Sequence, residues 1–489
     1  MNRREFVKLT GLSVASIAVN GCTSQQNPSI GKASRPPNIV FVFPDQMRGQ
    51  AMGFLKEEPV ITPHLDRFSE ESLVLPQTAS NYPVCSPFRA MLMTGRYPHA
   101  NKVVSNCNSN SAPFNCELQE SDRCWSDVLS DTGYSLGYIG KWHLDSPHKP
   151  YIKCSNNSEK LAWNEWCPPK RRHGFDFWYA YGTYDMHDRP MYWSTTAGRE
   201  GFRYVDQWGP EHEADMAIKY IRNEDGKYRD TNKPFALVVS MNPPHMPYDR
   251  VPQKYVDRYK DISLNKLCQR PNIPPANQQW GKYYRSNIRN YYAMITGVDE
   301  QFGRIVQALE EQGLDENTIV VFTSDHGNCL GIHNLKAKNN RFEESMRIPF
   351  LIRWPGKIKP RKDDLLFASL DICPTLLDLA GYGNDIPAEV DGTSHARQFL
   401  AGQGPRPEWQ WYMWVPVGKP KWGRRGLRNV QYTFAVSKQE GKPETIFLHD
   451  NLNDPYQLKN IANKQPGLVK KLRRELDTML TQYNDPWVA

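Results

Sequence analysis

The chain has 489 residues, 39% of them hydrophobic, and its formal net charge is +8. This length and apolar content suffice for a large core and suggest one big domain with a smaller one. The mild positive excess suits an anionic substrate, whereas no basic run is dense enough to predict a nucleic-acid partner. No pair of cysteines has the C-x-x-C spacing of a zinc site.

The N-terminal residues predict an export signal rather than folded structure. A twin-arginine-like pattern at Arg3-Arg4 precedes an apolar run that is too short to span a bilayer permanently. The following Val-Asn-Gly-Cys string resembles a bacterial lipoprotein processing site, which predicts a cleaved signal at 1–21, a lipid on Cys22 and a polar tether at 22–36. The protein is therefore expected to leave the bacterial cytoplasm and to be a periplasmic or cell-surface lipoprotein. Ordinary signal cleavage, with Cys22 incidental, is the alternative.

Four short apolar runs are typical of buried strands, and each ends in polar residues. The runs are 38–43, 134–139, 235–240 and 318–322. The polar residues after them are, in the same order, Asp45 with Gln46, Lys141 with His143, His245, and Asp325 with His326. Because amphipathic helical patterns such as 291–312 lie between the runs, the sequence predicts an α/β fold with a mostly parallel or mixed sheet. Ligands collect at the carboxyl ends of strands in such sheets, so these polar side chains are expected to share one cleft.

A cysteine, a proline two residues later and Arg89 open a predicted helix at residue 85. Proline suits the first turn of a helix, and a helix N-terminus beside a guanidinium favours negative charge on the Cys85 side chain. The alternative is a buried structural thiol, which most free cysteines are.

The pattern changes in the last part of the chain, 398–489. Tryptophan-rich loops surround strand candidates at 432–436 and 445–448, and a helix is predicted at 466–483. We interpret this part as a small C-terminal α+β subdomain, a short antiparallel sheet plus a helix, beside a catalytic domain at 37–397.

The string Cys85-Ser86-Pro87-Phe88-Arg89, followed by Thr94-Gly95-Arg96, resembles the sulfatase signature C-x-P-x-R with T-G-R, in which the cysteine is oxidised to formylglycine. Further motifs stand in family order and extend the resemblance from about residue 37 to about residue 463. They include Gly140-Lys141-Trp142-His143, Pro244-His245, Ser324-Asp325-His326-Gly327, Lys338 and Asp371 with Pro374-Thr375-Leu376-Leu377. The resemblance implies an alkaline-phosphatase-like large mixed sheet between helices. It also implies a formylglycine-dependent type I sulfatase, whose expected substrates are carbohydrates.

By this resemblance, one divalent metal would be bound by five residues. These are Asp45, Gln46, modified residue 85, Asp325 and His326. Many members of the family have a second aspartate in place of Gln46 and an asparagine in place of His326. Ca²⁺ is therefore the first expectation and Mn²⁺ the alternative.

The resemblance also implies the catalytic roles. Cys85, as 3-oxoalanine (formylglycine), would be present as a gem-diol, whose second hydroxyl lets the enzyme expel sulfate and restore the aldehyde. Arg89 would position the diol, and Lys141 and Lys338 would neutralise the transferring sulfuryl group. His143 would take the hemiacetal proton, and His245 would protonate the leaving alcohol. His333 and His99 are candidates for substrate binding, with a purely structural role as the equal alternative.

The predicted function is hydrolysis of a sulfate ester on a sulfated polysaccharide or oligosaccharide, after a formylglycine-generating maturation enzyme has modified Cys85. One alternative is a phosphonate monoester or phosphodiester hydrolase of the same superfamily, and another is a non-catalytic binding lipoprotein with unconverted Cys85. Tryptophans such as Trp178, Trp193 and Trp208 would either stack on sugar rings or belong to the core. Five cysteines between residues 107 and 167 could pair in an exported protein, in a connectivity that the sequence does not give.

Overall fold

A computed structural model describes residues 35–488 of the chain. The predicted export signal, the lipidation of Cys22 and nearly all of the tether lie outside the described residues and stay predictions. Within the described range, no helix is both long enough and apolar enough to cross a membrane.

Strands of the described chain form two sheets. They are β1 (Asn38–Pro44), β2 (Leu73–Val74), β3 (Ser135–Lys141), β4 (Phe177–Tyr181), β5 (Met191–Ser194), β6 (Arg203–Tyr204), β7 (Phe235–Met241), β8 (Thr318–Thr323), β9 (Phe350–Arg353), β10 (Arg361–Lys362), β11 (Gln410–Trp414), β12 (Gly423–Arg428), β13 (Tyr432–Lys438) and β14 (Thr445–Asp450). The ten-stranded sheet has the order β10-β2-β9-β8-β1-β7-β3-β4-β5-β6, and β11-β12-β13-β14 form a four-stranded sheet.

Helices cover both faces of the large sheet, and the last helix packs against the small sheet. They are α1 (Pro63–Glu70), α2 (Cys85–Thr94), α3 (Pro98–Asn101), α4 (Trp125–Asp131), α5 (Gly209–Arg222), α6 (Gln253–Val256), α7 (Leu264–Leu267), α8 (Gln279–Glu311), α9 (Glu343–Met346), α10 (Ile372–Leu379), α11 (Ala396–Ala401) and α12 (Pro466–Gln482), with short 3₁₀ turns between them.

The four predicted strands are neighbours at the centre of the large sheet, where β8, β1, β7 and β3 run parallel. Side chains of β1 alternate between two cores: Ile39, Phe41 and Phe43 pack with α2, α4 and α10, whereas Val40 and Val42 pack with α1, α5 and α8. A strand buried on both faces has a continuous apolar sequence, which is why the runs were recognisable. The predicted fold class, a large mixed sheet between helices with a small antiparallel sheet, is confirmed.

The long helix α8 begins at Gln279, twelve residues before the predicted start at Tyr291. The buried residues of its first part are Gly281, Tyr284 and Ile288. They continue the buried face of the helix, but two of the three are a glycine and a tyrosine instead of aliphatic residues. A Cβ atom at Gly281 would lie 2.0 Å from the carbonyl oxygen of Pro275. Close backbone packing therefore replaces the apolar pattern that the sequence prediction used.

The tryptophan-rich segment that contains Trp411 and Trp414 was predicted as a loop, and that prediction was wrong, because the segment forms β11. The strand β12, which has no tryptophan, was not predicted. Arginines obscure the strand pattern of β12, but Arg425 and Arg428 are only 0% and 1% exposed. Arg425 pairs with Asp485 at 2.7 Å, and Arg428 pairs with Glu343 at 2.7 Å. Because each arginine is paired with a carboxylate from a distant part of the chain, it can occupy a buried position in a strand. The domain boundary predicted between residues 397 and 398 stays a prediction.

Two open alternatives are decided by burial and by sulfur contacts. Trp178, Trp193 and Trp208 are at most 3% exposed, so they belong to the core and do not form a sugar-stacking surface. The nine cysteines from Cys85 to Cys373 are free thiols, so no disulfide joins the described residues.

Candidate active site

Polar residues meet at the carboxyl edge of the four central strands. Asp45 follows β1, Lys141 ends β3, Asn242 follows β7, and Asp325 lies two residues after β8. The Nζ atom of Lys141 lies 2.7 Å from Asp45 Oδ2 and 3.0 Å from Asn242 Oδ1. The structure thus brings the strand-end side chains together in one cluster.

Gly140 allows β3 and β7 to approach each other at this edge. Its φ is +96°, and a Cβ atom at this position would lie 2.1 Å from the carbonyl oxygen of Ser240. A larger residue would have to move the strand, so glycine is required immediately before Lys141.

Cys85 is the first residue of α2, as predicted, and is 1% exposed. Its Sγ lies 2.9 Å from Lys338 Nζ and 3.9 Å from Lys141 Nζ. Burial and the Asp45 carboxylate raise the pKa of the Cys85 thiol, but Lys141 and Lys338 outweigh them and hold that pKa well below its ordinary value. The position favours a negative charge on residue 85.

Asp45, Cys85, Asp325 and His326 form a buried group whose potential ligand atoms all lie within 4.8 Å of one another. His326 Nε2 is 3.4 Å from Asp45 Oδ1 and 3.4 Å from Asp325 Oδ1. His326 Nδ1 lies 2.9 Å from the Gly327 carbonyl oxygen, which can only accept a hydrogen bond. In the neutral ring the hydrogen therefore lies on Nδ1, and the lone pair of Nε2 faces the two carboxylates.

Gln46 supplies a further oxygen to this region. Its backbone N–H donates to Asp325 Oδ1 at 2.9 Å, and its side-chain Nε2 donates to the Tyr248 hydroxyl at 3.1 Å. The Gln46 Oε1 atom is buried and has no hydrogen-bond partner in the described chain. Two carboxylates, an amide oxygen and an imidazole nitrogen fit a divalent cation.

The two aspartates of the group differ in their electrostatic surroundings. Although burial raises the pKa of Asp45, Lys141 and Lys338 hold it well below its ordinary value. Burial and the neighbouring Asp45 raise the pKa of Asp325 to about 7. A cation bound between the carboxylates would relieve their mutual repulsion.

Arg89 holds helix α2 against the strand ends. Its NH1 donates to the Lys141 carbonyl oxygen at 2.6 Å and to Ser240 Oγ at 2.8 Å. Its NH2 lies 3.4 Å from Asp45 Oδ2 and 3.3 Å from Asp325 Oδ2. These contacts fix the position of the helix start that carries residue 85.

His143 follows β3 with a positive φ of 54°. Its Nε2 lies 3.1 Å from the Cys107 carbonyl oxygen, so Nε2 carries the hydrogen. Burial lowers the pKa of His143 to about 4, although the nearby Cys85 opposes the shift. The buried Nδ1 has no hydrogen-bond partner among the described residues and is free to accept a proton.

His245 lies at the rim of the cluster, with 15% of its side chain exposed. Its Nδ1 is 2.7 Å from the Met246 carbonyl oxygen and 3.4 Å from Asp185 Oδ1. Asp185 also accepts a hydrogen bond from Asn242 Nδ2 at 3.2 Å. Burial raises the pKa of Asp185, but the hydrogen bond from His245 and its charge lower it overall.

The sequence interpretation missed Asp185 as a neighbour of the site. It follows β4, which ends at Tyr181, and so shares the pattern of a strand followed by polar residues. The short, aromatic β4 lacks the aliphatic run that marked the other strands, which is why the pattern was not recognised.

His99 and His333 lie outside the group around residue 85. His99 Nε2 is 2.9 Å from the Tyr483 carbonyl oxygen, beyond the far end of α2. A helix of ten residues separates its ends by about 15 Å, so His99 does not reach the cluster. His333 Nε2 lies 3.1 Å from Glu344 Oε2, and its ring stacks on Phe342 at 3.6 Å.

Comparisons with known proteins identify relatives of the chain. The Sulfatase family model matches residues 37–382, and the model of the N-sulphoglucosamine sulphohydrolase C-terminal region matches residues 331–485. An endo-4-O-sulfatase of Bacteroides thetaiotaomicron is 39% identical over an alignment of 506 positions, gaps included, which covers 96% of each chain.

Solved structures share the whole fold. The structure of the sulfatase yidJ from Bacteroides fragilis has a TM-score of 0.90 at 50% identity and covers 94% of this chain and 99% of that chain. A structure from work on the metabolism of multiple glycosaminoglycans by Bacteroides thetaiotaomicron has a TM-score of 0.86 at 38% identity, with coverage of 93% and 98%. The chain therefore belongs to the sulfatase family, the enzymes that hydrolyse sulfuric esters.

Proposed function

We propose that the protein hydrolyses sulfate esters on sulfated carbohydrate chains, with residue 85 as formylglycine and one divalent cation at the Asp45 group. Ca²⁺ is the proposed ion, and Mn²⁺ is the alternative that the imidazole of His326 favours. The endo-4-O-sulfatase at 39% identity and the structure from glycosaminoglycan metabolism support a polysaccharide substrate.

The observation that carries this proposal is the surroundings of residue 85. Potential oxygen and nitrogen ligands of a metal and cationic side chains both lie next to this one side chain. Cys85 Sγ lies 3.6 Å from Asp45 Oδ1 and 3.4 Å from His326 Nε2. Lys338 Nζ is 2.9 Å from the same sulfur. A sulfate group brought to residue 85 would therefore lie beside both the potential metal ligands and the cationic side chains.

The charged residues bind and orient the sulfate. Lys141 and Lys338 neutralise negative charge on the sulfuryl oxygens, and their fixed positions in a buried site make this stabilisation effective. Arg89 keeps residue 85 at the helix start in its reactive position. A bound divalent cation would polarise the sulfate oxygens and lower the pKa of the attacking hydroxyl.

Two histidines move protons. His143 is neutral, and its Nδ1 accepts the proton of the remaining hydroxyl of residue 85 as the bond from residue 85 to the sulfate oxygen breaks, sulfate leaves and the aldehyde re-forms. His245 donates from Nε2 to the leaving alcohol, because Nδ1 faces the Met246 carbonyl and Asp185. The carboxylate of Asp185, 3.4 Å from Nδ1, orients the His245 ring for this donation.

Mass spectrometry of the peptide that contains residue 85 tests the proposal, with protein produced beside a formylglycine-generating enzyme. Conversion of Cys85 to the aldehyde, together with sulfate release from sulfated glycosaminoglycan oligosaccharides, is expected. An unmodified thiol in an active enzyme would overturn the mechanism, and faster hydrolysis of phosphonate or phosphate esters would overturn the substrate class. Elemental analysis of the purified protein identifies the bound metal.

We also propose that the protein is exported and anchored through a lipid on Cys22. Metabolic labelling with a fatty acid tests this, with Cys22→Ser as the matched control. Labelling that persists in C22S, or protein retained in the cytoplasm, would contradict the anchor.

A further inference from the structure

A half-buried arginine, three residues after Lys338, has no carboxylate partner among the described residues. The guanidinium carbon of Arg341 lies 4.3 Å from the ring centre of Phe342 and 3.6 Å from that of Phe447. No ion pair is formed by this guanidinium within residues 35–488, and its buried Nε has no acceptor. Its hydrogen-bonding capacity is therefore available to a ligand.

The surroundings of Arg341 oppose its charge. Burial lowers the pKa of Arg341 to about 10, Arg424 lowers it as well, and the only opposing contributions come from Tyr412 and Cys329. The buried Arg425, in contrast, has the carboxylate of Asp485 at 2.7 Å. Burying a cation without a partner costs free energy, which an anionic ligand would offset.

Arg341 lines a cleft of about 490 Å³, called the Arg341 cleft below. Other lining residues are Asn272, His333, Phe342, Phe447 and His449. His449 is 2% exposed, and neither of its ring nitrogens has a hydrogen-bond partner in the described chain. The side-chain oxygen of Asn272 is also buried without a donor. A guanidinium, an imidazole and an amide oxygen beside aromatic rings suit a sugar that carries an anionic group.

The Arg341 cleft adjoins the segment of chain that carries Lys338. Arg341 follows Lys338 by three residues, which limits their separation along the backbone to about 11 Å. Arg424, which adds positive charge nearby, donates to the Asn339 carbonyl oxygen at 3.3 Å. A ligand in this cleft would thus lie on a sugar near the one that carries the reacting sulfate.

We propose that the Arg341 cleft is a second anion subsite, which binds the carboxylate or an additional sulfate of a sugar near the reacting one in the same chain. This inference rests on the proposed function. The subsite selects a polyanionic chain over a small sulfate ester, because only the chain can present a second anion while its first sulfate is at residue 85.

Steady-state kinetics of the matured enzyme test this subsite. The substrates are a chondroitin 4-sulfate tetrasaccharide and 4-nitrophenyl sulfate, which has no second anion. Arg341→Gln is expected to raise KM for the tetrasaccharide about tenfold or more, with little change in kcat, since a charge-assisted hydrogen bond is lost. The effect on 4-nitrophenyl sulfate should be much smaller, and Arg341→Lys should restore part of the tetrasaccharide affinity.

The source of the anion is distinguished by chemical change of the tetrasaccharide. If the carboxylate is bound, reduction of the carboxyl groups raises the wild-type KM, and Arg341→Gln then has no further effect. If a second sulfate is bound, removal of that sulfate raises the wild-type KM, and Arg341→Gln then has no further effect. Arg473→Gln is the matched control, because Arg473, on the C-terminal helix, already pairs with Glu444 and Asp477. It should leave KM and kcat for both substrates unchanged.

Calorimetric binding separates this inference from the proposed function. The tetrasaccharide is titrated into the Cys85→Ala protein with and without Arg341→Gln, after melting curves confirm that both are folded. Weaker binding by the Arg341→Gln protein supports the subsite even if the wild type does not hydrolyse the tetrasaccharide. Equal binding by both proteins, no binding by either, or equal losses on both kinetic substrates would overturn it.

Discussion

Two cysteines of the molecule share many features and differ in charge surroundings. Cys85 is the first residue of α2, and Cys124 is the N-cap of α4. Both are buried and both lie in groups of potential metal ligands, Cys124 with Asp127 and His173. Yet the pKa of the Cys85 thiol is well below its ordinary value, whereas that of the Cys124 thiol is well above it.

The difference lies in cations from distant parts of the chain. Burial and Asp127 raise the pKa of Cys124, and only the weak effect of Arg123 opposes them. At Cys85, Lys141 and Lys338 overcome burial. At Cys85 the lowered pKa is due to Lys141 and Lys338, whereas the sequence prediction rests on the helix start and Arg89.

Substitution of each cysteine by alanine tests the comparison most directly. Cys85→Ala should reduce turnover at least about 10⁴-fold, since the nucleophile is lost, and should leave the fold intact because alanine favours helices. Cys124→Ala should change turnover less than twofold and lower the free energy of unfolding by about 1–2 kcal/mol, through loss of a cap and of a buried sulfur. Sulfate release and urea unfolding measure these effects. Loss of the fold in C85A would indicate a structural thiol instead.

Removal of a cation should make the surroundings of residue 85 resemble those of Cys124. Lys338→Ala is expected to reduce kcat about 10²- to 10³-fold, because one charge that stabilises the sulfuryl group is lost. Lys336→Ala, two residues earlier and exposed, is the matched control and should change kcat less than twofold. Equal kcat values for the two variants would contradict the assigned role of Lys338.

A histidine–aspartate pair lies near each cysteine: His245 with Asp185 near Cys85, and His173 with Asp127 near Cys124. His173 Nδ1 lies 3.1 Å from Asp127 Oδ2, and Asp127 also accepts from the Cys124 backbone N–H at 2.9 Å. Asp185→Asn should lower kcat about tenfold on alkyl sulfates and less on activated aryl sulfates, because the proton donated by His245 matters most for poor leaving groups.

The same assays on Asp127→Asn provide the control for that pair. This substitution should weaken the cap of α4 and lower stability by about 1 kcal/mol with kcat unchanged. Equal losses of D185N on both classes of sulfate would argue against acid catalysis by His245.

The same comparison can be made between two buried carboxylates, Glu213 and Asp45. Substitution of Glu213 is expected to have the smallest effect on turnover. It accepts hydrogen bonds from Tyr181 and Tyr192, and burial raises its pKa to about 8 from an ordinary value of 4.5. Asp45, with two lysines, has its pKa lowered. The folded protein therefore keeps the Glu213 proton that the unfolded chain releases as the pH rises above 4.5.

Stability should accordingly fall as the pH rises from about 5 to 8, by an amount on the order of 2–4 kcal/mol for this group. Glu213→Gln should flatten that part of the stability profile and leave turnover nearly unchanged. Urea unfolding at several pH values measures the slope, and an unchanged slope in E213Q would show that Glu213 is ionised in the folded protein.

The sequence was sufficient for the central strands and for the polar residues that follow them. Residues such as Asp45 and Asp325 follow aliphatic runs, and parallel strands must end at one edge. Asp185 and the strand β12 were missed because their signals depend on tertiary partners. Arg425 can lie in a buried strand only because Asp485 faces it, and no local pattern contains that information.

The burial of Cys85 within a charged site is not evident from the sequence. Cys85 is 1% exposed because Asp45 after β1, Lys141 of β3 and Lys338 surround it. Exposure at the start of one helix depends on segments up to 253 residues away, which helix periodicity does not report.

The order of strands across the large sheet has a consequence for the timing of protein synthesis. β1 pairs with β7 and β8, so its partners leave the ribosome about 200 and 280 residues after it. The contacts that enclose Cys85 are completed only after Lys338 has been made. An enzyme that oxidised this thiol, as we propose, would therefore have access to it during translation or before these late segments fold, and much less afterwards.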